Sequence, residues 1–416
     1  MKSTKSALVI GGGFIGCTIA LRLQQRGLNV QLYTGQPQDM PPSLGNAGHI
    51  AIEQIDPLAS WSSMISIYQK HIFRGGPVDF PLGSLPHWMP FGMRLCWAAR
   101  PSQFNQSKNI LSSLLSKAMP AWKSLLCELG ETGLLIQDGH FVVSESNKAA
   151  LRHQQQAPVP DNAHVRVRAT TSDDEKRLTS LLQANICHAL YFENTGHITD
   201  LPQVRDSIIE RFRNSGGTVK EKEIAKISRV GDGATALDEK GNRINTDYIV
   251  VAAGAGSKSL MQSMGYKVPL ICERGYHIEA PVDNWPEQTP IVVFEERGIL
   301  FTRFRQCLRV SGLVEFSKPN ASPDKRKWDL LQRHSDELGV SFKEKPRRWF
   351  GARPTLPDYM PAIGRANAVK NLFYAFGHNH LGLTLAPVTA DMITQLVDGD
   401  PAPKLPKQIA IERFRF

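Results

Sequence analysis

The stretch SALVIGGGFIGCTIALRLQQRGLNVQLYT, residues 6 to 34, decides the fold. The apolar run from Ala7 to Ile10 predicts a strand, and apolar residues recur at helical spacing between Phe14 and Gln25. A second apolar run, from Val30 to Tyr33, predicts another strand. Between the first strand and the helix, glycines occupy the positions of a GxGxxG motif: Gly11, Gly13 and Gly16. The stretch therefore predicts a βαβ unit with a glycine-rich turn.

Each glycine of this turn has a physical role in a dinucleotide site. Gly11 permits the tight turn, Gly13 lets the backbone approach a pyrophosphate, and Gly16 lets the helix pack closely on the strand. The helix start then offers free N–H groups and a positive dipole end to the phosphates. The alternative is a glycine-rich turn with no ligand, and the βαβ frame favours the dinucleotide.

Thr34 stands where such a site usually carries an acidic residue that binds the adenosine ribose. A hydroxyl can donate one hydrogen bond and accept others, but the stronger charged hydrogen bond is lost. No arginine follows in residues 35 to 38 to bind the 2′-phosphate of NADP. We expect the ribose to be held by Thr34, by backbone or by water, and the dinucleotide to be retained more loosely than usual.

The composition is that of a globular chain long enough for two or three domains: 416 residues, 41% hydrophobic and 21% charged. The formal net charge of +10 suits an anionic membrane surface, an anionic substrate or nucleic acid, but the basic residues form no long run. The 6 cysteines include no CxxC pair, so the sequence predicts reduced thiols and no metal site. No apolar run is long enough to span a membrane.

Three later segments would complete a cofactor site. SLGNAGHIA, residues 43 to 51, is a loop of small residues that lets backbone approach a flat ligand. DYIVVAAGAGS, residues 247 to 257, predicts a buried strand followed by a small-residue turn. Residues 371 to 399 predict a strand, a glycine-rich turn and an apolar helix, whose start would present N–H groups to an electron-rich ring.

Five motifs in this order resemble the FAD-dependent D-amino-acid oxidase and dehydrogenase family, most closely its bacterial D-amino-acid dehydrogenase branch: VIGGGFIG, SLGNAGHI, VVAAGAGS, WFGARPTLPDYMPAIG and FGHNHLGLT. The resemblance implies an α/β fold, with an FAD-binding Rossmann-like domain and a second, α+β substrate domain built on an antiparallel sheet. We predict the FAD-binding domain at residues 1–58, 195–270 and 350–416, and the substrate domain at 59–194 and 271–349.

The resemblance also implies the residues that contact FAD. Gly11, Gly13, Gly16 and Gly254 would face the pyrophosphate, and Thr34 the ribose. Ile224 would lend backbone to the adenine. The residues expected beside the flavin ring come from the loop near residue 46 and the turn near residue 380: Asn46, Ala47, Gly48, His49, His380, Leu381, Gly382, Leu383 and Thr384.

Three residues are candidates for substrate contacts. Arg353, in WFGARPTLPD, would pair with a substrate carboxylate through two parallel hydrogen bonds; the alternative is a structural ion pair. Tyr276 is a second carboxylate donor, a pocket wall or a buried strand residue, and His277 should point away from it. His49 would orient the substrate amine or influence its protonation; the alternative is packing on the cofactor.

We therefore expect FAD-dependent oxidative deamination of a small D-amino acid or cyclic imino acid, by hydride transfer from Cα to flavin N5. Alternatives are oxidation of glycine or sarcosine, a flavin domain in tRNA modification, and a non-catalytic flavin subunit. The electron acceptor stays open among oxygen, a quinone and a partner protein, and nucleic acid is a disfavoured partner. We expect a cytoplasmic location, with a peripheral position at the inner face of the membrane as the alternative. Residues 85–101, rich in Trp, Met and Pro, form either substrate-domain core, an active-site cover or a shallow membrane contact, and their prolines argue against a long amphipathic helix.

Overall fold

The computed structural model describes residues 4–36, 41–60, 76–147, 165–183, 186–318, 321–399 and 405–414. Its strands, numbered in chain order, are β1 Ser6–Ile10, β2 Asn29–Tyr33, β3 His49–Ile50, β4 Val78–Asp79, β5 Leu135–Ile136, β6 His140–Ser144, β7 Val167–Ala169, β8 His188–Phe192, β9 Gly196–Ile198, β10 Thr218–Lys220, β11 Ile224–Val230, β12 Gly233–Asp238, β13 Arg243–Ile244, β14 Tyr248–Val251, β15 Ile271–Ala280, β16 Ile291–Phe294, β17 Ile299–Arg303, β18 Leu308–Phe316, β19 Arg347–Thr355, β20 Ala362–Arg365 and β21 Leu372–Phe376.

The α-helices of the described residues, also numbered in chain order, are α1 Phe14–Gln25, α2 Leu85–Ala98, α3 Pro101–Leu115, α4 Ala118–Leu129, α5 Ser172–Leu181, α6 Leu201–Asn214, α7 Ser257–Gln262, α8 Lys325–Glu337 and α9 Ala386–Asp398. The predicted βαβ unit is confirmed, since β1, α1 and β2 lie where the sequence places them. The strand, turn and helix predicted in residues 371 to 399 are also confirmed.

A six-stranded sheet with the order β10-β2-β1-β14-β21-β20 carries the glycine-rich turn. All its neighbouring strands run parallel except β20, which is antiparallel to β21. Successive side chains of β1 face opposite sides, so Ala7 and Val9 enter one buried cluster while Leu8 and Ile10 enter another. Apolar burial on both faces is the reason that these strands are continuous hydrophobic runs.

The two faces of this sheet are covered differently. Helices α1, α4, α6 and α9 pack on one face, where Phe14 meets Trp122 edge to face at 6.1 Å. The other face packs on the small antiparallel sheet β11-β12-β13 and on α7, through residues such as Ile227 and Leu260. The carboxyl ends of β1 and β14 therefore meet at one edge, which is where ligands bind in open parallel sheets.

A nine-stranded sheet forms the second layer, with the order β19-β15-β18-β17-β16-β6-β8-β7 and β4 beside β18. Its pairs are antiparallel except β16 with β6 and β18 with β4. The predicted antiparallel sheet is therefore found as a mostly antiparallel, mixed sheet. Helix α8 packs on β15 and β18, and a short sheet, β3-β9-β5, lies beside the cofactor segments. The domain boundaries stay a prediction.

Helix α2 corrects one expectation about residues 85–101. The prolines were expected to oppose a long amphipathic helix, but 14 consecutive residues are helical. Pro86 stands in the first turn, where a missing N–H costs nothing, and Pro90 is tolerated inside the helix. Within the described residues, no helix combines the length and apolar character that crossing a membrane requires.

Candidate active site

The glycine-rich turn is built by close backbone contacts. Gly11 has φ +131°, and a Cβ there would lie 2.1 Å from the carbonyl oxygen of Ala252, which directly follows β14. A Cβ at Gly16 would lie 1.9 Å from the carbonyl oxygen of Gly11, so the helix starts against the turn. Larger residues at either position would force strand and helix apart. The first and last glycines of the motif are thus required by packing alone.

The middle glycine faces open space, which fits a bound pyrophosphate. A Cβ at Gly13 would meet nothing closer than the side chain of Ser43, at 3.5 Å. The hydroxyl of Ser43 is buried and has no hydrogen-bond partner in the described structure. Helix α1 begins after Gly13 without a side-chain cap and without an acidic residue in its first turn. Its N–H groups and dipole are therefore free to bind an anion.

At the ribose end of the site, the side chain of Thr34 offers a single hydroxyl group. Thr34 follows β2, its Cβ lies against Gly12, and its hydroxyl makes a 3.3 Å hydrogen bond to the carbonyl oxygen of Gly35. Ile224 lies in the same buried cluster as Tyr33, close to the end of β2. Gly254 has φ +57° and no atom within 4 Å of a Cβ position, so this turn also leaves room for a ligand.

The loop of residues 43–48, which we call the flavin loop, is held in a fixed shape. The side-chain oxygen of Asn46 accepts a 2.8 Å hydrogen bond from the backbone N–H of Gly48, with Ala47 between them. Gly48 has φ +78°, and a Cβ there would lie 2.7 Å from the carbonyl oxygen of Ile198. Only glycine satisfies both conditions without strain.

The nine-stranded sheet also grips the flavin loop, through two residues that the sequence analysis did not identify for this purpose. Arg309 donates hydrogen bonds to the carbonyl oxygens of Leu44, at 2.9 Å, and Asn46. The ring nitrogen Nδ1 of His277 lies 3.2 Å from the carbonyl oxygen of Gly45. Neither residue belongs to a motif, so only the fold shows this connection.

The turn before α9 contacts the residues that directly follow the flavin loop. The hydroxyl of Thr384 accepts a 3.0 Å hydrogen bond from the N–H of Ala51 and lies 3.4 Å from the carbonyl oxygen of His49. The carbonyl oxygen of Leu383 accepts a 3.0 Å bond from the Trp122 indole. The structure therefore brings together the two segments expected beside a flavin ring. The rest of the turn is contiguous with these residues: His380, Leu381 and Gly382.

Arg353 lies on β19 and forms an ion pair with Glu273 on β15, with Nη1 3.1 Å from Oε1. The other oxygen of Glu273 accepts from the hydroxyls of Thr355, at 3.1 Å, and Tyr359, at 3.3 Å. The Arg353 side chain is 33% exposed, whereas that of Glu273 is 4% exposed. Several of the five N–H donors of this guanidinium thus remain available to a ligand.

Tyr276 does not join Arg353, because the two side chains lie on opposite faces of the sheet. In the register of β15 with β19, Glu273 is paired with Arg353 and Tyr276 with Phe350. The Tyr276 hydroxyl donates a 2.5 Å hydrogen bond to buried Glu315, and burial raises the pKa of this phenol. Its placement fits the alternative of a buried strand tyrosine.

His49 lies at the start of β3 in a group of buried titratable side chains. Its Nε2 is 3.7 Å from Oε2 of Glu53, and its ring meets that of His140 edge to face at 4.8 Å. Burial lowers the pKa of His49 well below its usual value, and His140, His197 and His380 reinforce this. His49 belongs to a motif of the sequence, whereas Glu53 and His140 belong to none.

A comparison with protein families decides the assignment. Residues 6–396 match the model of the DAO family, described as FAD dependent oxidoreductase. The chain belongs to this family. The protein is therefore an FAD-dependent oxidoreductase, and the resemblance seen in its motifs is confirmed.

Curated relatives of this oxidoreductase align over nearly their whole lengths. The D-amino-acid oxidase of Bradyrhizobium diazoefficiens is 26% identical over 427 residues, covering 98% of each chain. A D-amino acid dehydrogenase of Vibrio vulnificus is 22% identical over 421 residues, covering 99% of each chain.

Solved structures confirm the fold of the oxidoreductase. The L-proline dehydrogenase from P. horikoshii matches with a TM-score of 0.75 at 16% identity, covering 100% of this chain and 99% of its own. The glycine oxidase from Geobacillus kaustophilus matches with a TM-score of 0.74 at 17% identity, covering 95% of each chain. The predicted fold class, a Rossmann-like FAD-binding part joined to a second α+β part, is thereby confirmed.

Proposed function

We propose that this oxidoreductase oxidises a small amino acid or cyclic imino acid at the bond between Cα and nitrogen. The observation that carries the proposal is Arg353, a partly exposed guanidinium beside the segments that fit the cofactor. It lies close enough to His380, in the turn before α9, for its charge to help lower the pKa of that residue, which burial brings to about 3. The curated relatives, named as D-amino-acid oxidase and dehydrogenase, support the same substrate class.

The cofactor site follows from the same arrangement. FAD supplies the hydride acceptor when it is bound. The open space at Gly13 and Gly254, the uncapped start of α1 and the unpaired Ser43 hydroxyl fit its pyrophosphate. The flavin loop and the turn ending at Thr384 would hold its ring.

The residues of the chain would then select and orient the substrate. Arg353 binds the carboxylate with two parallel hydrogen bonds, and Glu273 keeps the guanidinium in place from the other side. Fixing the carboxylate fixes Cα, so that its hydrogen points in one direction. The hydrogen of Cα leaves as hydride, with the electron pair of the C–H bond, and the nitrogen lone pair forms the C=N bond. The imine then hydrolyses in water to a keto acid and ammonia. A cyclic substrate gives a cyclic imine. This route requires no base that acts on the carbon.

Anaerobic reduction of the bound flavin tests the proposal. Purified holoprotein is mixed without oxygen with a panel of D- and L-amino acids, proline analogues, glycine and sarcosine, and the loss of flavin absorbance is recorded. We expect a D-amino acid or a proline analogue to give the fastest bleaching. Bleaching by glycine or sarcosine alone would favour the secondary-amine alternative. A yellow protein that no amine bleaches would contradict the proposal. Repeating the reaction in air separates an oxidase from a dehydrogenase.

We also propose a peripheral contact between α2 and an anionic membrane surface. Among the described residues, five of the eight exposed large hydrophobic side chains lie on or just before this helix: Leu82, Leu85, Met89, Met93 and Trp97, with exposures of 79%, 38%, 45%, 63% and 54%. Their spacing of three or four residues places them on one side. The opposite side of the helix is anchored by Phe91, Leu95 and Ala98, so the exposed stripe is not core.

Positive charge next to the stripe favours an anionic bilayer over an apolar protein partner. A groove beside α2 is lined by Arg94, Lys258 and Lys267, and Arg100 lies 5.4 Å from the ring of Trp97. Each basic residue near such a surface contributes about 1 kcal/mol. Apolar side chains and basic residues together are the pattern of helices that lie in a membrane interface.

Vesicle sedimentation tests the membrane contact. Holoprotein should bind vesicles that contain phosphatidylglycerol, bind pure phosphatidylcholine weakly, and dissociate at high salt. The double substitution Met93→Gln and Trp97→Gln should weaken binding at least about 10-fold. Val230→Gln, at a side chain that is 52% exposed elsewhere, is the matched control. Equal binding of the double variant, or concentration-dependent self-association that only this variant abolishes, would contradict the membrane assignment.

A further inference from the structure

His49 and Glu53 face each other in a buried site in which one polar atom of each side chain lacks a hydrogen bond. Their side chains are 10% and 9% exposed, and 3.7 Å separates Nε2 of His49 from Oε2 of Glu53. Neither atom has a hydrogen-bond partner in the described structure. An unpaired buried carboxylate is costly, because burial in an apolar medium penalises its charge. A proton or a cationic ligand bound between the two side chains would remove this cost.

The side chains around the pair supply no positive charge at neutral pH. From β6, the ring of His140 contacts His49, and its Nδ1 lies 2.8 Å from the hydroxyl of Thr195. From β9, His197 is the strand partner of His49. Burial lowers the pKa of His140 to about 3 and that of His197 to about 4, so both rings are neutral.

The remaining neighbours lie on the substrate side. His380, in the turn before α9, is neutral because burial lowers its pKa to about 3. Behind it lies Arg353, whose charge is paired with Glu273. Burial raises the pKa of Glu53 to about 8, so its carboxyl group is mostly protonated at neutral pH. The ionised form, which can accept a proton, predominates above pH 8.

The distances between the candidate ligand atoms at this site are longer than those around a bound metal ion. The ligand atoms of His49, Glu53 and His140 lie within 4.8 Å of one another. Metal bonds of about 2.0 to 2.2 Å would bring such atoms to about 3 to 3.5 Å apart. One nitrogen of His140 is also engaged with Thr195. A proton held between His49 and Glu53 requires only two atoms to approach, from 3.7 Å to about 3 Å, which is a smaller change than a metal ion requires.

We propose that His49 and Glu53 together accept the proton that the substrate ammonium must lose before hydride transfer. This role rests on the proposed function. The amino acid enters with its nitrogen protonated, one N–H bond breaks, and the proton binds Oε2 of the ionised Glu53, with Nε2 of the neutral His49 as its hydrogen-bond partner. The freed lone pair forms the C=N bond as hydride leaves Cα for the cofactor. The amino acid is oxidised, FAD is reduced, and one proton remains on the pair for release to water.

The backbone around His49 suits this position. Thr384 is bonded to the N–H of Ala51 and lies against the carbonyl of His49, so the residue is fixed between the flavin loop and the turn ending at Thr384. On the substrate side, the guanidinium of Arg353 has only N–H donors and no acceptor atom. His49 and Glu53 are therefore the groups of the described site that have both the position and the chemistry to accept one.

A titration of the holoprotein without substrate tests the pair independently of turnover. Between about pH 6 and 9, ionisation of a carboxyl group beside the flavin should shift the visible flavin absorbance with a midpoint near the pKa of about 8. Glu53→Gln should abolish the shift, since the amide does not ionise. Glu239→Gln, at an exposed turn position, is the control and should keep it.

The possible outcomes separate the two proposals. A wild-type transition that disappears only in Glu53→Gln supports the pair. No transition in wild type, its persistence in Glu53→Gln, or one equivalent of bound metal by elemental analysis would overturn it. The panel of amino acids tests the proposed function separately. Flavin bleaching without the pH transition would support amino-acid oxidation and contradict the proposed role of His49 and Glu53. The pH transition without flavin bleaching would contradict amino-acid oxidation. With a substrate, the rate of flavin reduction should rise through the same midpoint in wild type and lose this limb in Glu53→Gln.

Discussion

Arg309 donates a hydrogen bond to the carbonyl oxygen of Asn46 and so ties the nine-stranded sheet to the flavin loop. The same guanidinium forms a buried ion pair with Glu279, at 2.7 Å. A strand that belongs to one layer thus sets the shape of a loop in the other. The consequence is that the loop beside the cofactor depends on the packing of the two layers, and not only on its own glycines.

Replacing Arg309 should loosen the cofactor. Arg309→Lys keeps the charge that pairs with Glu279 but lacks the planar fork that reaches the two loop carbonyls. We expect the dissociation constant of FAD, measured by flavin fluorescence after dilution, to rise about 10-fold with little change in Tm. Arg305→Gln, an exposed position on the same hairpin, should change neither quantity. Unchanged FAD retention in Arg309→Lys would show that the loop holds its shape alone.

Arg353 should act mainly on substrate binding. Removing two charged hydrogen bonds in Arg353→Ala should lower kcat/KM by about 100-fold or more, mostly through KM, as stopped-flow reduction of the flavin would show. Arg347→Ala lies on the same strand, is 81% exposed and should behave as wild type. If turnover of every amino acid that reduces the wild-type flavin is unaffected by Arg353→Ala, the carboxylate is bound elsewhere.

Thr34 offers a test of the ribose position. Thr34→Glu would add a charged acceptor for the ribose hydroxyls and should match or improve FAD retention, by up to about 10-fold. Thr34→Val removes the hydroxyl at similar volume and should weaken retention. Both are measured as the fraction of FAD kept after gel filtration. Weaker retention in Thr34→Glu would mean that the ribose does not lie at the end of β2.

The parts of the site that depend on local sequence patterns could be predicted from the sequence. Gly11 and Gly16 stand where periodicity and glycine spacing place a βα turn, and the close contacts of the structure require them. Alternation along a strand also predicts correctly that Tyr276 and His277 point to opposite sides. It does not say which side meets the site, because that depends on the pairing of β15 with β19.

Contacts between residues of distant strands could not be predicted from the sequence, because they also depend on how the strands pair and pack. Glu273 lies 80 positions from Arg353, and no local pattern relates the two. His140 reaches His49 from β6, 91 positions along the chain, and only the packing of β6 brings the two rings together. Glu53 lies only four residues after His49 but belongs to no motif of the sequence. The length of α2 was underestimated because its prolines argued against a long amphipathic helix, whereas Pro86 falls in the first turn.

The pH dependence of stability should reveal the buried carboxyl group of Glu53. Its folded pKa of about 8 exceeds the ordinary value of 4.5, so the folded state binds a proton that the unfolded state has lost between these limits. The free energy of unfolding then falls as pH rises through this window, by at most about 1.4 kcal/mol per pH unit from this one group. Below pH 4.5 its contribution is fully present, and above pH 8 it is lost.

Denaturation of wild type and Glu53→Gln in urea across this window isolates that contribution. The amide keeps the shape of the protonated carboxyl group and does not titrate, so the difference in stability, wild type minus variant, should fall steadily from about pH 5 to pH 8. Glu239→Gln should give a difference that does not change with pH, since that side chain is exposed. A constant difference for Glu53→Gln would mean that Glu53 stays ionised in the folded protein.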